Sequence, residues 1–217
     1  MKASASIGYA AALIAGTAMA ASHPSFLTHK QAQLFVTGAP PGSKTLYDQN
    51  RDPAGASVFS EHFGSGYDTQ GADDFAVPAG HTWVVKEVDV TGVYFNGSGP
   101  ASSENVFFYR DRGGLPGGLV VSCPNQNGGD NGTGSLAIVL SDTCRAKLHG
   151  GKTYWVSVQA NVDVNTQWGW SVSADTSGEQ AAWQNPGGDV CPTWGHLKDC
   201  LGVDGDLMFA LRGKDKH

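Results

Sequence analysis

The chain has 217 residues, of which 40% are hydrophobic and 16% charged, a length and composition that suit one domain with a substantial core. Its formal net charge is −6, and it contains no run of Lys or Arg. Because nucleic-acid binding needs a basic stripe, the composition argues against a nucleic-acid partner.

The first twenty residues predict a signal peptide. Lys2 precedes a short apolar run that ends in Ala18, Met19 and Ala20, which fit the small-x-small pattern of a cleavage site. A buried N-terminal helix is the alternative, but no amphipathic period organises these residues. The apolar run is shorter than the roughly 20 residues that a membrane-spanning helix needs. We therefore expect a secreted, extracellular protein with no membrane span.

Residues 21–45 follow the predicted cleavage site and contain few periodic apolar positions. They include the turn-forming sequence APPG. We interpret the segment as a linker, or as an edge segment with a strand at QLFV, residues 33–36. The domain proper is expected over residues 46–213.

Within that region, short runs rich in Val and aromatic residues alternate with clusters of Gly, Asn, Asp and Pro. Many short strands separated by turns predict an all-β fold, namely an antiparallel β-sandwich with a jelly-roll-like arrangement. The predicted strands cover residues 82–95, 104–111, 136–140, 153–160, 167–173 and 206–213.

Four motifs in this region resemble a group of secreted bacterial β-sandwich modules. In chain order they are GADDFAVPAGHTWVVKEVDVTGVYF, VFFYRDRGGLPGGLV, YWVSVQA and DLMFALRG. Modules of this group occur alone or appended to larger extracellular proteins. The resemblance implies the same architecture and a non-catalytic module that binds a ligand or a surface.

An even number of cysteines in an exported chain predicts disulfide bonds. The four cysteines are Cys123, Cys144, Cys191 and Cys200, and they allow three pairings. We predict the bonds Cys123–Cys144 and Cys191–Cys200, because each would close a loop rich in Gly, Asp and Asn. A metal site is the alternative, but the spacing is not CxxC and no His cluster lies nearby.

The distribution of aspartates suggests one metal site. Most Asp residues suit turns, which is the simpler interpretation. Asp73 and Asp74, however, stand at the start of one predicted strand, and Asp204 and Asp206 stand at the start of the last one. The first and last strands of jelly rolls are often neighbours, so these carboxylates would form an oxygen cage suited to a structural Ca²⁺. We expect either this calcium ion or no cofactor.

Side-chain alternation sorts the tryptophans of two predicted strands. Trp168 and Trp170 share one face with Val172, and a strand with one large apolar face buries that face. We therefore expect both rings in the core, although an exposed pair could stack on sugar rings. Trp155 shares its face with Ser157 rather than with the apolar residues of its strand, so it points outward or lies under a loop.

Residues 175–205 form a segment of about 30 residues with no clear strand, which is typical of a functional loop or a packed cover. Its rings Trp183 and Trp194 either plug the loop onto the sandwich or line a binding surface. Gln184 and Asn185 supply amides that can hydrogen-bond sugar hydroxyls. We predict these four residues as a ligand site, with Trp155 as a lesser member.

Catalytic motifs are absent from the sequence. It contains neither a G-x-S-x-G elbow nor H-E-x-x-H, its seven His are scattered singly, and no carboxylate pair indicates a glycosidase. No catalytic residue is predicted. Three functions remain: a secreted non-catalytic module that binds carbohydrate or another extracellular polymer, a structural or adhesive extracellular domain without a small ligand, and a hydrolase whose site follows no known motif.

Overall fold

The structure, a computed structural model, describes residues 26–28, 40–64 and 66–217, with the backbone alone for residues 26–28. The predicted signal peptide and the QLFV segment lie outside the described residues. The described residues form seventeen strands, one 3-10 helix (Asp142–Cys144) and one short α-helix, α1 (Leu197–Leu201).

The strands, numbered in chain order, form three sheets. The seven-stranded sheet contains β4 (Glu61–His62), β5 (Gln70–Val77), β8 (Ser103–Asp111), β9 (Pro116–Gln126), β12 (Lys152–Asn161), β14 (Ala182–Gln184) and β15 (Gly195–His196). The first five-stranded sheet contains β1 (Phe26–Thr28), β3 (Pro53–Phe59), β7 (Gly92–Phe95), β13 (Gln167–Ser173) and β16 (Asp206–Leu207). The second five-stranded sheet contains β2 (Lys44–Asp48), β6 (Thr82–Val90), β10 (Leu136–Val139), β11 (Lys147–His149) and β17 (Phe209–Lys216).

The predicted antiparallel β-sandwich is confirmed. In the seven-stranded sheet the order is β15-β14-β5-β12-β8-β9, and only β4 pairs in parallel, beside β12, among the described strands. The two five-stranded sheets meet where the chain passes from one to the other. There the Thr91 amide donates to the Met208 carbonyl at 3.2 Å, and the Met208 amide donates to the Ser171 carbonyl at 2.9 Å.

One large core cluster takes side chains from all three sheets. The prediction that Trp168 and Trp170 are core residues is confirmed, since both are fully buried. Their indole N–H groups donate to the Gly134 carbonyl at 2.7 Å and the Met208 carbonyl at 2.8 Å. A buried Trp needs a hydrogen-bond acceptor for its indole N–H, and both rings have one, so both are fully satisfied core residues.

The single strand predicted over residues 82–95 is wrong, because it is two strands in two different sheets. The chain leaves β6, crosses at Thr91 and enters β7. At Gly92 it passes directly against the Trp168 ring, and a Cβ on that residue would lie 2.6 Å from the ring. The crossing therefore requires a residue without a side chain at this point.

Three further strand assignments from the sequence are corrected by the structure. The pattern misses β9, because its first residues, Pro116, Gly117 and Gly118, resemble a turn. The predicted strand over residues 206–213 is interrupted at Met208 and divides into β16 and β17. Asp73 and Asp74 lie in the middle of β5 rather than at the start of a strand. None of the described helices is long and apolar enough to cross a membrane.

Of the two predicted disulfide bonds, Cys191–Cys200 is confirmed, with a Cα–Cα separation of 5.7 Å. The predicted Cys123–Cys144 bond is wrong for this structure, in which both cysteines are buried and free. They are nevertheless neighbours, since the Cys123 thiol donates to the Cys144 carbonyl at 3.2 Å. Burial, followed by the nearby Cys144 thiol, raises the pKa of Cys123.

Candidate functional site

The outer face of the seven-stranded sheet is the face turned away from the core cluster, and Trp155 lies on it. Its neighbours in β12, Tyr154 and Val156, belong to the core cluster, so alternation places Trp155 on the opposite side as predicted. The ring is nevertheless 0% exposed, because it forms a small cluster with Ala72 and Ala182 against which Leu115 and Trp194 pack. Trp155 therefore lies under loops and is not a surface ring, which removes it from the predicted ligand site.

Residues 175–205 are more ordered than predicted, because they contain β14, β15 and α1. The disulfide Cys191–Cys200 ties the connection between β14 and β15 to α1. Trp183 is 0% exposed, and its indole N–H donates to the Phe59 carbonyl at 2.8 Å. This ring plugs the segment onto the sandwich, so its predicted role in ligand binding is wrong.

Trp194, Gln184 and Asn185 keep part of their surface exposed. The Trp194 ring meets the Tyr109 ring edge to face, with centroids 5.8 Å apart. No described residue hydrogen-bonds to the Asn185 side-chain amide or to Gln184 Oε1.

Contacts through two more side chains connect Trp194 with Gln184. Gln70 Nε2 donates to the Tyr109 hydroxyl at 3.0 Å, and Gln184 Nε2 donates to Gln70 Oε1 at 2.8 Å. The Phe107 ring lies beside Tyr109 at 6.2 Å between centroids. We call these five side chains, Phe107, Tyr109, Trp194, Gln70 and Gln184, the aromatic–amide patch.

A polar row continues from the aromatic–amide patch along β12 and β8. On β12 the outward positions after Trp155 are Ser157, Gln159 and Asn161, and Asn105 lies opposite Gln159. Asn105 Nδ2 donates to Asn161 Oδ1 at 2.8 Å. Outward positions of a strand are about 6.7 Å apart, so four of them cover roughly 20 Å. Alternation along β12 predicts the outward direction of Ser157 and Gln159, but all four side chains of the row are buried, each at most 9% exposed.

The calcium prediction places Asp73, Asp74, Asp204 and Asp206 together, and three of the four do approach one another. We call Asp73, Asp74 and Asp206 the three-aspartate cluster; all three are buried. Asp204 is not part of it. It is exposed and accepts from Lys198 Nζ at 2.8 Å and from Gln180 Nε2 at 2.9 Å, so its predicted role is wrong. Between Asp204 and Asp206, Gly205 has φ +128°, a conformation that turns the chain and separates the two side chains.

Hydrogen bonds from the chain surround the three-aspartate cluster. Asp73 Oδ2 accepts from Gln49 Nε2 at 2.6 Å and from the Leu207 amide at 2.5 Å. Asp74 Oδ1 accepts from the Glu179 amide at 2.9 Å. Asp206 accepts from the amides of Ser177 at 2.6 Å and Ala181 at 3.3 Å. The cluster therefore anchors the segment around residues 177–181 to β5 and β16.

Burial and mutual repulsion affect the acidity of this cluster. Burial, followed by the charge of Asp206, raises the pKa of Asp73 well above its usual range. Burial raises the pKa of Asp74 to about 7, although the Glu179 amide opposes the shift. Burial also raises the pKa of Asp206. Calcium binding by these three residues stays a prediction.

A second acidic region lies at one end of the sandwich, in a cavity of about 300 Å³ that we call the loop-end cavity. Residues 100–104, residues 125–128 and Asp130 line it. Glu104 is 1% exposed, and burial, followed by the charge of Asp130, raises the pKa of Glu104 to about 7. Sequence reasoning misses Glu104, but one clue exists: its strand position has the same parity as the core residues Val106 and Phe108.

The seven His residues are scattered in the sequence, yet the rings of His81 and His217 meet, with centroids 4.3 Å apart. The group His81, Asp215 and His217 places three ligand atoms within 4.8 Å of one another, and no other such group of three occurs among the described residues. Asp215 already accepts from His81 Nδ1 at 2.9 Å and pairs with Lys44 Nζ at 3.1 Å. These existing contacts account for the grouping without a metal.

Comparison with known proteins adds little. No protein-family model matches the chain, and no curated protein matches it. One similar solved structure comprises the cysteine protease and lectin-like domains of Cwp84, a surface layer associated protein of Clostridium difficile, at 10% identity and a TM-score of 0.48. The match covers 83% of this chain but only 37% of that one, so the chain spans little more than a third of that protein.

Proposed function

We propose that this protein is a secreted, non-catalytic β-sandwich module that binds an extracellular carbohydrate or a similar polyhydroxylated polymer. The observation that carries the proposal is the aromatic–amide patch, which joins partly exposed rings to amides on one sheet face. Aromatic faces match the C–H faces of sugars, and amides hydrogen-bond sugar hydroxyls. The bond Cys191–Cys200 supports export, since disulfides persist in oxidising compartments.

The polar row beside the aromatic–amide patch is buried, so the contacts with a ligand fall on the patch itself. Ser157, Gln159, Asn105 and Asn161 are each at most 9% exposed, and Asn105 and Asn161 are fixed by hydrogen bonds to each other. A surface that is already ordered loses little conformational entropy when it binds. We therefore assign Trp194 and Gln184 the direct contacts, and Gln70 and Tyr109 the role of holding them in place.

A second candidate function is a structural or adhesive domain without a small ligand. The observation that favours it is the burial of five of the six tryptophans; among these, Trp155, Trp168, Trp170 and Trp183 have indole N–H groups that donate to partners inside the protein. A module that binds by stacking usually displays its rings. Only Trp194 keeps that option among the tryptophans of the described residues.

Binding assays on insoluble polysaccharides and isolated cell walls test the first candidate. We expect the double variant Trp194→Ala, Gln184→Ala to bind at least about tenfold more weakly than the parent, since stacking alone contributes roughly 1 kcal/mol beyond burial. The matched control is Val139→Ala, which trims a 53% exposed side chain on β10 in a different sheet. It should bind like the parent.

Two results would contradict this assignment. If the parent binds none of the polymers, the structural candidate takes its place. If the double variant melts like the parent and still binds like it, the module binds elsewhere on its surface. Thermal unfolding of each variant separates a lost contact from a lost fold.

A further inference from the structure

The loop-end cavity has walls rich in oxygen atoms and carries uncompensated negative charge. Two carboxylates, Glu104 and Asp130, line it together with the amide side chains of Asn125, Gln126 and Asn127. No Lys, Arg or His is among its described lining residues. Neither carboxylate forms an ion pair within the described part of the chain. A polar cavity with two acids and no base is electrostatically suited to a cation.

Glu104 provides the strongest observation, because half of its carboxylate has no partner. The Gly128 amide hydrogen-bonds to this side chain, yet Oε2 is buried and accepts no hydrogen bond from any described residue. The Gly128 backbone packs so closely that a Cβ there would lie 2.4 Å from Glu104 Cδ. The carboxylate is thus held in a fixed position, with one oxygen left for something the chain does not supply.

Asp130 is the second carboxylate that lines the cavity. Its Oδ2 accepts from the Tyr94 hydroxyl and from the Ala101 amide, the latter at 3.2 Å, and its Oδ1 accepts from the Gly132 amide at 2.8 Å. These donors orient the carboxylate. A carboxylate has about four lone-pair sites, so capacity for a metal remains.

We propose that the loop-end cavity binds one Ca²⁺ ion, with Glu104 and Asp130 as its charged ligands. The available donors are all oxygens in the described lining, without Cys or His, which selects a hard cation over zinc or copper. Ca²⁺ accepts irregular sets of six to eight oxygens, whereas Mg²⁺ demands a near-ideal octahedron. A cavity of about 300 Å³ leaves room for water to complete the coordination shell.

A proton is the competing occupant of Glu104, because a neutral carboxyl group needs no counter-charge. The raised pKa of this group makes the competition real near neutral pH. Binding is therefore measured at pH 8.5, where the unliganded carboxylate is mostly ionised, with chelator-treated full-length protein. Calcium modules of the extracellular type bind at roughly 0.1–1 mM, so titration calorimetry with Ca²⁺ must reach several millimolar.

Charge-neutralising variants then test the assignment. Glu104→Gln and Asp130→Asn should each weaken Ca²⁺ binding at least tenfold, while Asp199→Asn, the same change on the exposed surface of α1, should leave it within twofold. The proposal is overturned if the parent releases or absorbs no heat with Ca²⁺, or if Glu104→Gln binds as tightly as the parent.

A second measurement locates the ion without any substitution, in case the variants fail to fold. Mn²⁺ prefers the same oxygen ligands and broadens nearby NMR signals. At substoichiometric Mn²⁺, the amide signals of Gly128 and Gly132 should broaden first and recover when Ca²⁺ is added. If the amides of Ser177 and Glu179 broaden instead, the ion occupies the three-aspartate cluster and the proposal is wrong.

Discussion

The three-aspartate cluster and the loop-end cavity bury the same chemical group in opposite ways. In the cluster, Asp73, Asp74 and Asp206 accept hydrogen bonds from several elements of the chain. In the cavity, Glu104 keeps one buried oxygen without any partner among the described residues. The chain therefore satisfies the first group from within and leaves the second to be completed by a ligand.

The hydrogen bonds that a buried carboxylate accepts distinguish a structural role from a binding role, and its pKa does not. Burial raises the pKa of both Asp74 and Glu104 to about 7. What distinguishes them is the number of donors that converge on each oxygen. A donor set supplied by the backbone fixes a fold, whereas a missing donor marks a place where a ligand would stabilise the protein.

The largest effect that this comparison predicts comes from Asp73→Ala. The substitution removes the acceptor of the buried Leu207 and Asp74 amides and one of the two acceptors of Gln49 Nε2, which keeps its bond to the Leu207 carbonyl. Each stranded donor costs roughly 1–3 kcal/mol, so we expect the free energy of unfolding in urea to fall by about 4 kcal/mol. Asp73→Asn keeps an acceptor and should lose less. If the alanine variant lowers the free energy of unfolding by less than about 1 kcal/mol, the three-aspartate cluster does not stabilise the fold.

A smaller effect on the free energy of unfolding is expected when a change of pH ionises Glu61. This carboxylate is 1% exposed and accepts from the Trp168 amide, and burial raises the pKa of Glu61 from 4.5 to about 8. Between those two values the unfolded chain loses the proton and the folded protein keeps it. The free energy of unfolding therefore falls as pH rises from about 4.5 to about 8, by roughly 2–4 kcal/mol from this group.

Glu61→Gln provides the matched control for the pH effect, because the amide cannot ionise. Urea unfolding at intervals from pH 4.5 to pH 8.5 should show a shallower decline for this variant than for the parent. The remaining slope should come from the other raised carboxylates, such as Asp74. Parallel curves for the two proteins would mean that Glu61 is ionised in the folded state.

Local spacing predicts the direction of side chains, but contacts between distant segments decide their burial. Alternation correctly turns Trp155 away from the core, yet the ring is buried in a second cluster, against which the distant residues Leu115 and Trp194 pack. The same limit applies to the cavity, where Glu104 and Asp130 are brought together only by the pairing of β8 with β9 and the loop that follows. The parity of Glu104 was visible in the sequence, but its missing hydrogen-bond partner was not.

Backbone conformation explains the failures at short range. Strand alternation places Asp204 and Asp206 on one face, but the φ of Gly205 breaks the strand between them. At Gly92 the chain changes sheets, and a continuous Val-rich pattern conceals that crossing. Glycine permits both geometries and does not specify either one, so the sequence indicates a strand where the structure has a turn or a crossing.

Glu104→Gln, in contrast to Asp73→Ala, is expected to raise the free energy of unfolding when no metal is present. The substitution removes a buried charge beside Asp130, so at pH 8.5 with chelator the free energy of unfolding should rise by about 0.5–1 kcal/mol. With saturating Ca²⁺ the order should reverse, because only the parent gains binding free energy. Thermal unfolding under the two conditions measures both signs. A variant less stable than the parent in chelator would mean that Glu104 is satisfied from within, like the aspartates of the cluster.

The smallest effect is expected from Asp204→Ala. Asp204 pairs with Lys198 on an exposed surface, where an ion pair contributes about 0–1 kcal/mol, so the free energy of unfolding should change by less than about 0.5 kcal/mol. Asp206→Ala is the matched comparison two residues away, and it should cost at least about 2 kcal/mol because the Ser177 and Ala181 amides lose their acceptor. Equal losses at the two positions would mean that the exposed contacts of Asp204 with Lys198 and Gln180 stabilise the fold as much as the buried Asp206 does.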